Sequence, residues 1–343
     1  MLEIPAPYQS LAVIGHDAAK TQIQDSYASG RLHHAWLITG PEGIGKATLA
    51  YHMAHHILSG GENTFGRFNP EHPTARLIMA QAHPDLFVLD RPHDEKTGRL
   101  KDSIPVEQAR KLGPFLSMTA SYGHGRVAIL DEAHALNRNG QNAILKMIEE
   151  PPTGAIMILT ATTAGFLLPT IRSRCRLLAL DPLPATQMEI ILSRLGVELA
   201  PDMPKQDLFD FAQGSIGRAL SVIQSDVWPL FGEVQTLLQA LPTLDLPRVH
   251  KLADRLSRKD ESESYEVLTS LIEDTLRRAV RSVALGQSDP TGLSLKLAAN
   301  GRLDKALDIW ENVKKTFVTA QTANLDRKLA LINVFSTLSR DLA

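Results

Sequence analysis

The sequence predicts an α/β fold, a parallel sheet covered by helices on both faces, followed by a wholly helical region. Short apolar runs alternate with helical patterns as far as Pro184 and then cease. A glycine-rich turn joins the first of these runs to a helix. Beyond Trp228 the apolar residues fall at helical spacing, as in Tyr265, Leu268, Leu271, Ile272 and Leu276. With 343 residues, 43% of them hydrophobic and 22% charged, the chain can build two or three domains, each with its own core.

Residues 16–30 read as a helix ending at Gly30, and Ala35–Thr39 as a buried strand whose following turn opens a helix to about Leu58. Residues 59–84 hold the breakers Gly60–Gly61, Asn69–Pro70 and His83–Pro84 and are read as irregular. Leu86–Leu89 is a short strand, residues 91–103 a polar loop, and Pro105–Leu116 a helix with Val106, Ala109 and Leu112 on one face. Arg126–Leu130 and Ala155–Thr160 are buried strands. Between them a helix over 139–150 is stopped by Pro151–Pro152. Ile171–Leu180 is an arginine-rich turn leading into an apolar strand. Residues 185–226 form a small helical unit, and 264–285, 303–320 and 325–340 are longer helices. Their apolar stripes are expected to be packing faces.

Gly40 to Lys46 fits G-x-x-x-x-G-K, with glycines at 40 and 45 and a third at Gly43. Glycines let backbone N–H groups converge on phosphate oxygens, the helix start adds positive dipole, and Lys46 reaches toward the β/γ-phosphates. The hydroxyl residue that binds Mg²⁺ ordinarily follows the lysine, but Ala47 stands there. Thr48 cannot replace it in a regular helix, because successive residues turn by about 100°. The loop therefore predicts nucleotide binding and, at the same time, weak hydrolysis.

Downstream, the strand Arg126–Leu130 ends in Asp131–Glu132. After a phosphate loop this is a Walker B arrangement. Asp131 would hold Mg²⁺ and Glu132 would polarise an attacking water. A second constellation, Arg172-Ser173-Arg174-Cys175-Arg176, sets three arginines at a strand entrance. Guanidinium groups stabilise charge on a transferring phosphoryl group and can be supplied by a neighbouring subunit; a solvated basic turn is the other reading. Cys175 is expected to be a small buried hydrophobe.

Net charge near −2 argues against strong autonomous nucleic-acid binding. A single cysteine excludes an internal disulfide framework and a cysteine-rich zinc module, and makes a reducing cytoplasmic location the expectation. No apolar run approaches the roughly 20 residues of a membrane span. The stretch MLEIPAPYQSLAVIG lacks a basic start and an apolar core, so no signal peptide is expected.

The segments HHAWLITGPEGIGKATLA, VAILDEAHALNRNGQNAILKMIEEPP, Ser173-Arg174-Cys175 and GSIGRAL (Gly214–Leu220) together resemble the AAA+ clamp-loader subunits of bacterial DNA polymerase III, the delta-prime family above all. HPDLFVLD at 83–90 and NLDRKLALIN at 324–333 extend the resemblance over nearly the whole chain. It implies a RecA-like AAA+ domain over 1–181, a helical lid over 182–226 and a helical collar over 227–343 that joins five subunits in a ring. It also implies that Arg174 acts in trans on a neighbouring subunit's ATP. Gly40, Gly43, Gly45, Lys46, Ala47, Thr48 and Asp131 would face the chain's own ATP or ADP with Mg²⁺. Thr162 or Thr163 matches the polar sensor-1 position, and Arg218 lies one residue out of register with the lid arginine called sensor 2. Val13–Ile14–Gly15 falls where the family packs the adenine base; a contact inside the N-terminal fold is the other reading.

Many clamp-loader subunits carry a four-cysteine zinc module after the phosphate loop. No cysteine occurs there, so no zinc is expected, and His72, His83 and His93 have no standard ligand spacing. The expected role is that of a subunit in a hetero-pentameric ring with motor and delta subunits, loading the sliding clamp onto primed DNA. As part of the polymerase holoenzyme it would perform no nucleotidyl transfer itself, and any ATPase of its own would be weak, with Glu132 catalytic only if the site is active. The rival expectations are an autonomous AAA+ ATPase and a nucleotide-independent scaffold with a relic loop.

Overall fold

The computed structural model describes residues 5–62, 64–94, 100–199, 203–225, 227–258, 262–286, 292–299, 303–322 and 325–342. Residues 95–99 of the expected polar loop, Asn324 of the 324–333 segment and position 226, the expected end of the lid, lie outside these. The chain divides into two compact units, Met1–Ala200 with Pro204–Ala219, and Pro201–Met203 with Leu220–Ala343.

The first unit begins with α1 (Asp17–Ala28), β1 (Ala35–Thr39), α2 (Lys46–Leu58), α3 (Pro73–Met79) and β2 (Leu86–Leu89). It continues through α4 (Val106–Arg110), α5 (Leu112–Leu116), β3 (Arg126–Leu130), α6 (Arg138–Glu149) and β4 (Ala155–Ala161). Then come α7 (Pro169–Arg172), β5 (Arg176–Ala179), α8 (Ala185–Arg194), α9 (Lys205–Ala212) and the start of α10 (Ile216–Gln224). All strand pairs are parallel, in the order β2-β3-β4-β1-β5.

Side chains alternate across the sheet, as the two-residue period of a strand requires. Trp36 and Ile38 of β1 join Val127, Ile129 and Ile158 on one face, beneath Ile23 of α1, Leu49 and Met53 of α2 and Ile78 of α3. Ala35 and Leu37 join Ala128, Leu130 and Leu159 on the other, beneath Ala109, Leu112, Ile144, Ile148 and Ile171 from α4 to α7. The doubly covered parallel sheet is therefore as the alternation of runs predicts.

Three local expectations change. Residues 59–84 are not wholly irregular, because His72 caps α3 by accepting from the Thr74 N–H and Pro73 starts its first turn. The helix expected over Pro105–Leu116 is two short ones, divided at Lys111. Pro114 removes an N–H and its ring crowds the carbonyl of Arg110, where α4 ends. The strand at Arg176–Ala179 lies at the sheet edge, so only Leu178 is buried and Leu177 stays 53% exposed.

The second unit is helical throughout its described residues, with α11 (Trp228–Ala240), α12 (Leu246–Leu256), α13 (Ser262–Leu285), α14 (Leu293–Ala299), α15 (Leu303–Thr322) and α16 (Arg327–Asp341). α12 packs on α16, and α13 on α14 and α15. The stripe Leu268, Ile272 and Leu276 of α13 is buried, as are Val313 and Phe317 of α15 and Phe335 and Leu338 of α16. Asp245 and Asp326 cap α12 and α16 with their carboxylates.

Candidate nucleotide site

Because β4 lies between β1 and β3, the carboxyl ends of these three strands bring the turn after Thr39, the acids after Leu130 and the end of β4 together. Ligands of open parallel sheets bind at this edge. The turn itself needs glycine. Gly45 has φ of 104°, a conformation that L side chains avoid. A Cβ on Gly43 would lie 2.6 Å from Ser215 Oγ and 2.9 Å from Gly217 Cα. Ser215 Oγ donates to the Glu42 carbonyl at 2.7 Å, and the Gly217 N–H to the Gly43 carbonyl at 2.8 Å. The GSIGRAL segment thus closes over the outside of the turn.

At the start of α2 the first N–H groups have no intrahelical partner, which gives the turn its anion-binding character. Lys46 is buried, and its Nζ donates to the carbonyls of Gly40 at 2.9 Å and Pro41 at 2.7 Å. Desolvation lowers its pKa, opposed by the nearby carboxylates of Asp131, Glu42 and Glu132. Thr48 lines a cavity on the far side of the turn, as the helical rotation from Ala47 requires.

Across the sheet, Asp131 Oδ1 accepts from Thr160 Oγ1 at 2.5 Å and from the Glu132 N–H at 3.1 Å. Burial pushes its carboxyl above the usual range, and the Thr160 bond works in the opposite direction. The contact follows from register. Leu130 pairs with Leu159, which sets the next residues, Asp131 and Thr160, side by side. The structure therefore places Thr160 against the acid, while Thr162 and Thr163 lie beyond the strand. Glu132 has φ of 49°, and its carboxylate is paired with Arg91 Nε. Thr160 and Arg91 escape sequence reasoning because nothing local marks them; strand order and register do.

The cavity holds about 500 Å³ and is bounded by Val13, Ile14, His16, Ile44 and Thr48, with Ile191 and Leu195 closing it from the helical side. That volume suits a small ligand. Gly15 is not part of its wall; it packs on Leu183 and Gln187. His16 Nε2 lies 2.9 Å from the Ile44 carbonyl, and desolvation lowers the pKa of the ring. The neutral imidazole must carry its proton on Nε2 to donate there.

The remaining expected residues sit elsewhere. The Arg218 guanidinium lies over the Phe211 ring at 5.4 Å from its centroid, and its N–H donates to Ser215 Oγ. Arg174 lies between α7 and β5, half-exposed, in contact with Thr170, Ser173 and Glu149. Arg176 lies 5.2 Å from the Trp36 ring. Burial raises the Cys175 thiol to about 12, which keeps it protonated. His72 caps α3, His83 accepts from the Asp85 N–H, and His93 is paired through its backbone with Leu100. Among the described residues no group of three or more His, Cys, Asp or Glu side chains could hold a metal ion, and no helix is long and apolar enough to cross a membrane.

The residues present fit a nucleotide. The glycine turn and Lys46 suit phosphates, the adjoining apolar cavity suits a base, and Asp131 lies across from Lys46. The hydroxyl expected at position 47 of a metal-binding loop is the missing part.

A family model described as DNA polymerase III, delta subunit, matches residues 15–184. The chain is 37% identical over 190 residues to DNA polymerase III subunit delta' of Pseudomonas aeruginosa, covering 55% of this chain and 54% of that one. It thus spans about half the length of that relative. It is 30% identical over 275 residues to subunit delta' of Escherichia coli, covering 80% of this chain and 78% of the relative. A gamma-subunit-related protein of Thermotoga maritima superposes over 95% of this chain and 99% of its own, with 16% identity and a TM-score of 0.46. With 30% identity sustained over four-fifths of its sequence, the chain belongs to the delta-prime family of DNA polymerase III subunits.

Proposed function

We propose that the chain is the delta-prime-type subunit of a DNA polymerase III clamp loader, and that it helps load the sliding clamp onto primed DNA. Its 1–181 segment would be the AAA+ domain, 182–226 the lid and 227–343 the collar through which it joins motor and delta subunits in a five-membered ring. Its place of action would be the cytoplasm. Net charge near −2 suits a member that contributes little DNA affinity alone.

The observation that carries the mechanism is the position of Arg174. Its guanidinium is half-exposed, at 42%, and bonds to no residue of the chain's own nucleotide site. An arginine so placed can reach a phosphate held by an adjacent subunit and stabilise the charge of its transition state.

The chain's own site supports binding more than turnover. Gly40, Gly43, Gly45 and Lys46 would hold the phosphates of ATP or ADP, Thr48 would flank the base cavity, and Asp131 with Thr160 would face a bound Mg²⁺. When bound, that ion neutralises phosphate charge. Three features oppose hydrolysis. Ala47 offers no hydroxyl, Lys46 is engaged by two carbonyls, and Glu132 is held by Arg91. Arg218 of α10 lies over the Phe211 ring of α9. No zinc is needed in this account.

The test is the ATPase of the reconstituted assembly with Arg174→Ala. Assembly should stay intact and DNA-stimulated ATPase should fall by a large factor, toward the roughly 10³ that arginine fingers supply. Unchanged ATPase in an intact assembly would overturn the role in trans.

A further inference from the structure

Arg174 is held from two directions. Its Nη1 donates to the Thr170 carbonyl at 3.1 Å and lies 3.4 Å from Ser173 Oγ, both on its own short segment. Its Nη2 lies 3.1 Å from Glu149 Oε1, on the last residue of α6. The Arg174 N–H donates to the Ile171 carbonyl, so the backbone beneath the side chain is fixed as well. These contacts hold the guanidinium between its own turn and the end of α6.

A carboxylate is unfavourable at a helix C-terminus, where the dipole is negative. Glu150 caps the end of α6 ahead of Pro151–Pro152, and Glu149 is 39% exposed. The arginine offsets that charge, and the half-exposed pair is screened by water and therefore weak. A weak, oriented pair is suited to exchange. An incoming phosphate can replace the carboxylate while the Thr170 carbonyl keeps its hold.

We propose that Glu149 is a positioning residue for Arg174, aiming the guanidinium outward before a neighbouring nucleotide arrives. The inference rests on the reading of Arg174 in trans. Glu149→Gln keeps the shape and an acceptor oxygen but removes the charge. The aim is then lost to competing rotamers of a long side chain.

The test is a double-mutant cycle on the reconstituted assembly with ATP, Mg²⁺ and primed DNA. Glu149→Gln should lower kcat about three- to tenfold, with KM for ATP, assembly and the thermal midpoint unchanged. In the Arg174→Ala background the same substitution should have no further effect. An equal loss in that background would show that Glu149 acts through something else, and unchanged or raised kcat in the single variant would overturn the positioning role. An Arg174→Ala assembly with full activity would instead remove the premise, and the single arginine variant identifies that case by itself.

Discussion

The Gly217 N–H donates to the Gly43 carbonyl at 2.8 Å, joining the first turn of α10 to the glycine turn after β1. The two glycines meet backbone to backbone, so neither tolerates a side chain. A Cβ on Gly217 would lie 2.7 Å from Gly43 Cα, and one on Gly43 would also require φ of 71°. Gly43→Ala should destabilise the first unit by about 1–3 kcal/mol. Urea unfolding followed by circular dichroism checks this; an unchanged midpoint would mean that the turn yields.

The absent hydroxyl at position 47 predicts a gain of function. Ala47→Ser supplies an oxygen where a phosphate-bound Mg²⁺ is expected, a contact of about 1.5 kcal/mol or more when one partner is charged. Affinity for ADP should rise about tenfold with Mg²⁺ present and stay level in EDTA, as measured by calorimetry. Turnover should follow only when Arg91→Ala also frees Glu132. A variant without Mg²⁺-dependent gain would place the defect elsewhere.

Lys46→Ala should abolish measurable binding of a fluorescent ADP analogue. It also frees the carbonyls of Gly40 and Pro41, so the thermal midpoint should fall as well. Binding that survives the substitution would argue against phosphate recognition by this turn.

Acid stability follows from two histidines of α2. Burial lowers His52 to about 4, against 6.5 for a free ring, and His55 also to about 4. His52 and His55 both pack with tilted rings against Phe68, and His52 Nε2 lies 2.9 Å from the Ser10 carbonyl. Between pH 6.5 and about 4 the unfolded chain binds more protons than the folded one, so stability falls as pH drops through that window and is full above it. Each ring should remove about 1 kcal/mol between pH 7.5 and 5.5. Urea midpoints at the two pH values check this, and His52→Asn should reduce the difference.

Much of the fold is legible in the sequence because its signals are local. The buried strand Ala35–Thr39, the glycine turn and the stop at Pro151–Pro152 are each specified within a few residues. α3 is hidden because Asn69–Pro70 and Gly60–Gly61 dominate the segment, although His72 and Pro73 are a helix start. The division of Pro105–Leu116 is visible in Pro114 only to a reader who counts back to the carbonyl of Arg110. The site shows the same split. Lys46, Ala47 and Asp131 declare themselves by spacing. Thr160 needs the β3–β4 register, Arg91 needs the β2–β3 pairing, and Ser215 needs a contact across most of the first unit.

In the proposed mechanism the chain contributes Arg174 to a neighbour's ATP and barely turns over its own. The most direct measurement is ATP turnover by the purified chain alone, with Mg²⁺, in the presence and absence of primed DNA. Turnover at background in both conditions, alongside measurable ADP binding, is the expected result. Robust turnover abolished by Lys46→Ala would contradict it and make the chain a motor in its own right.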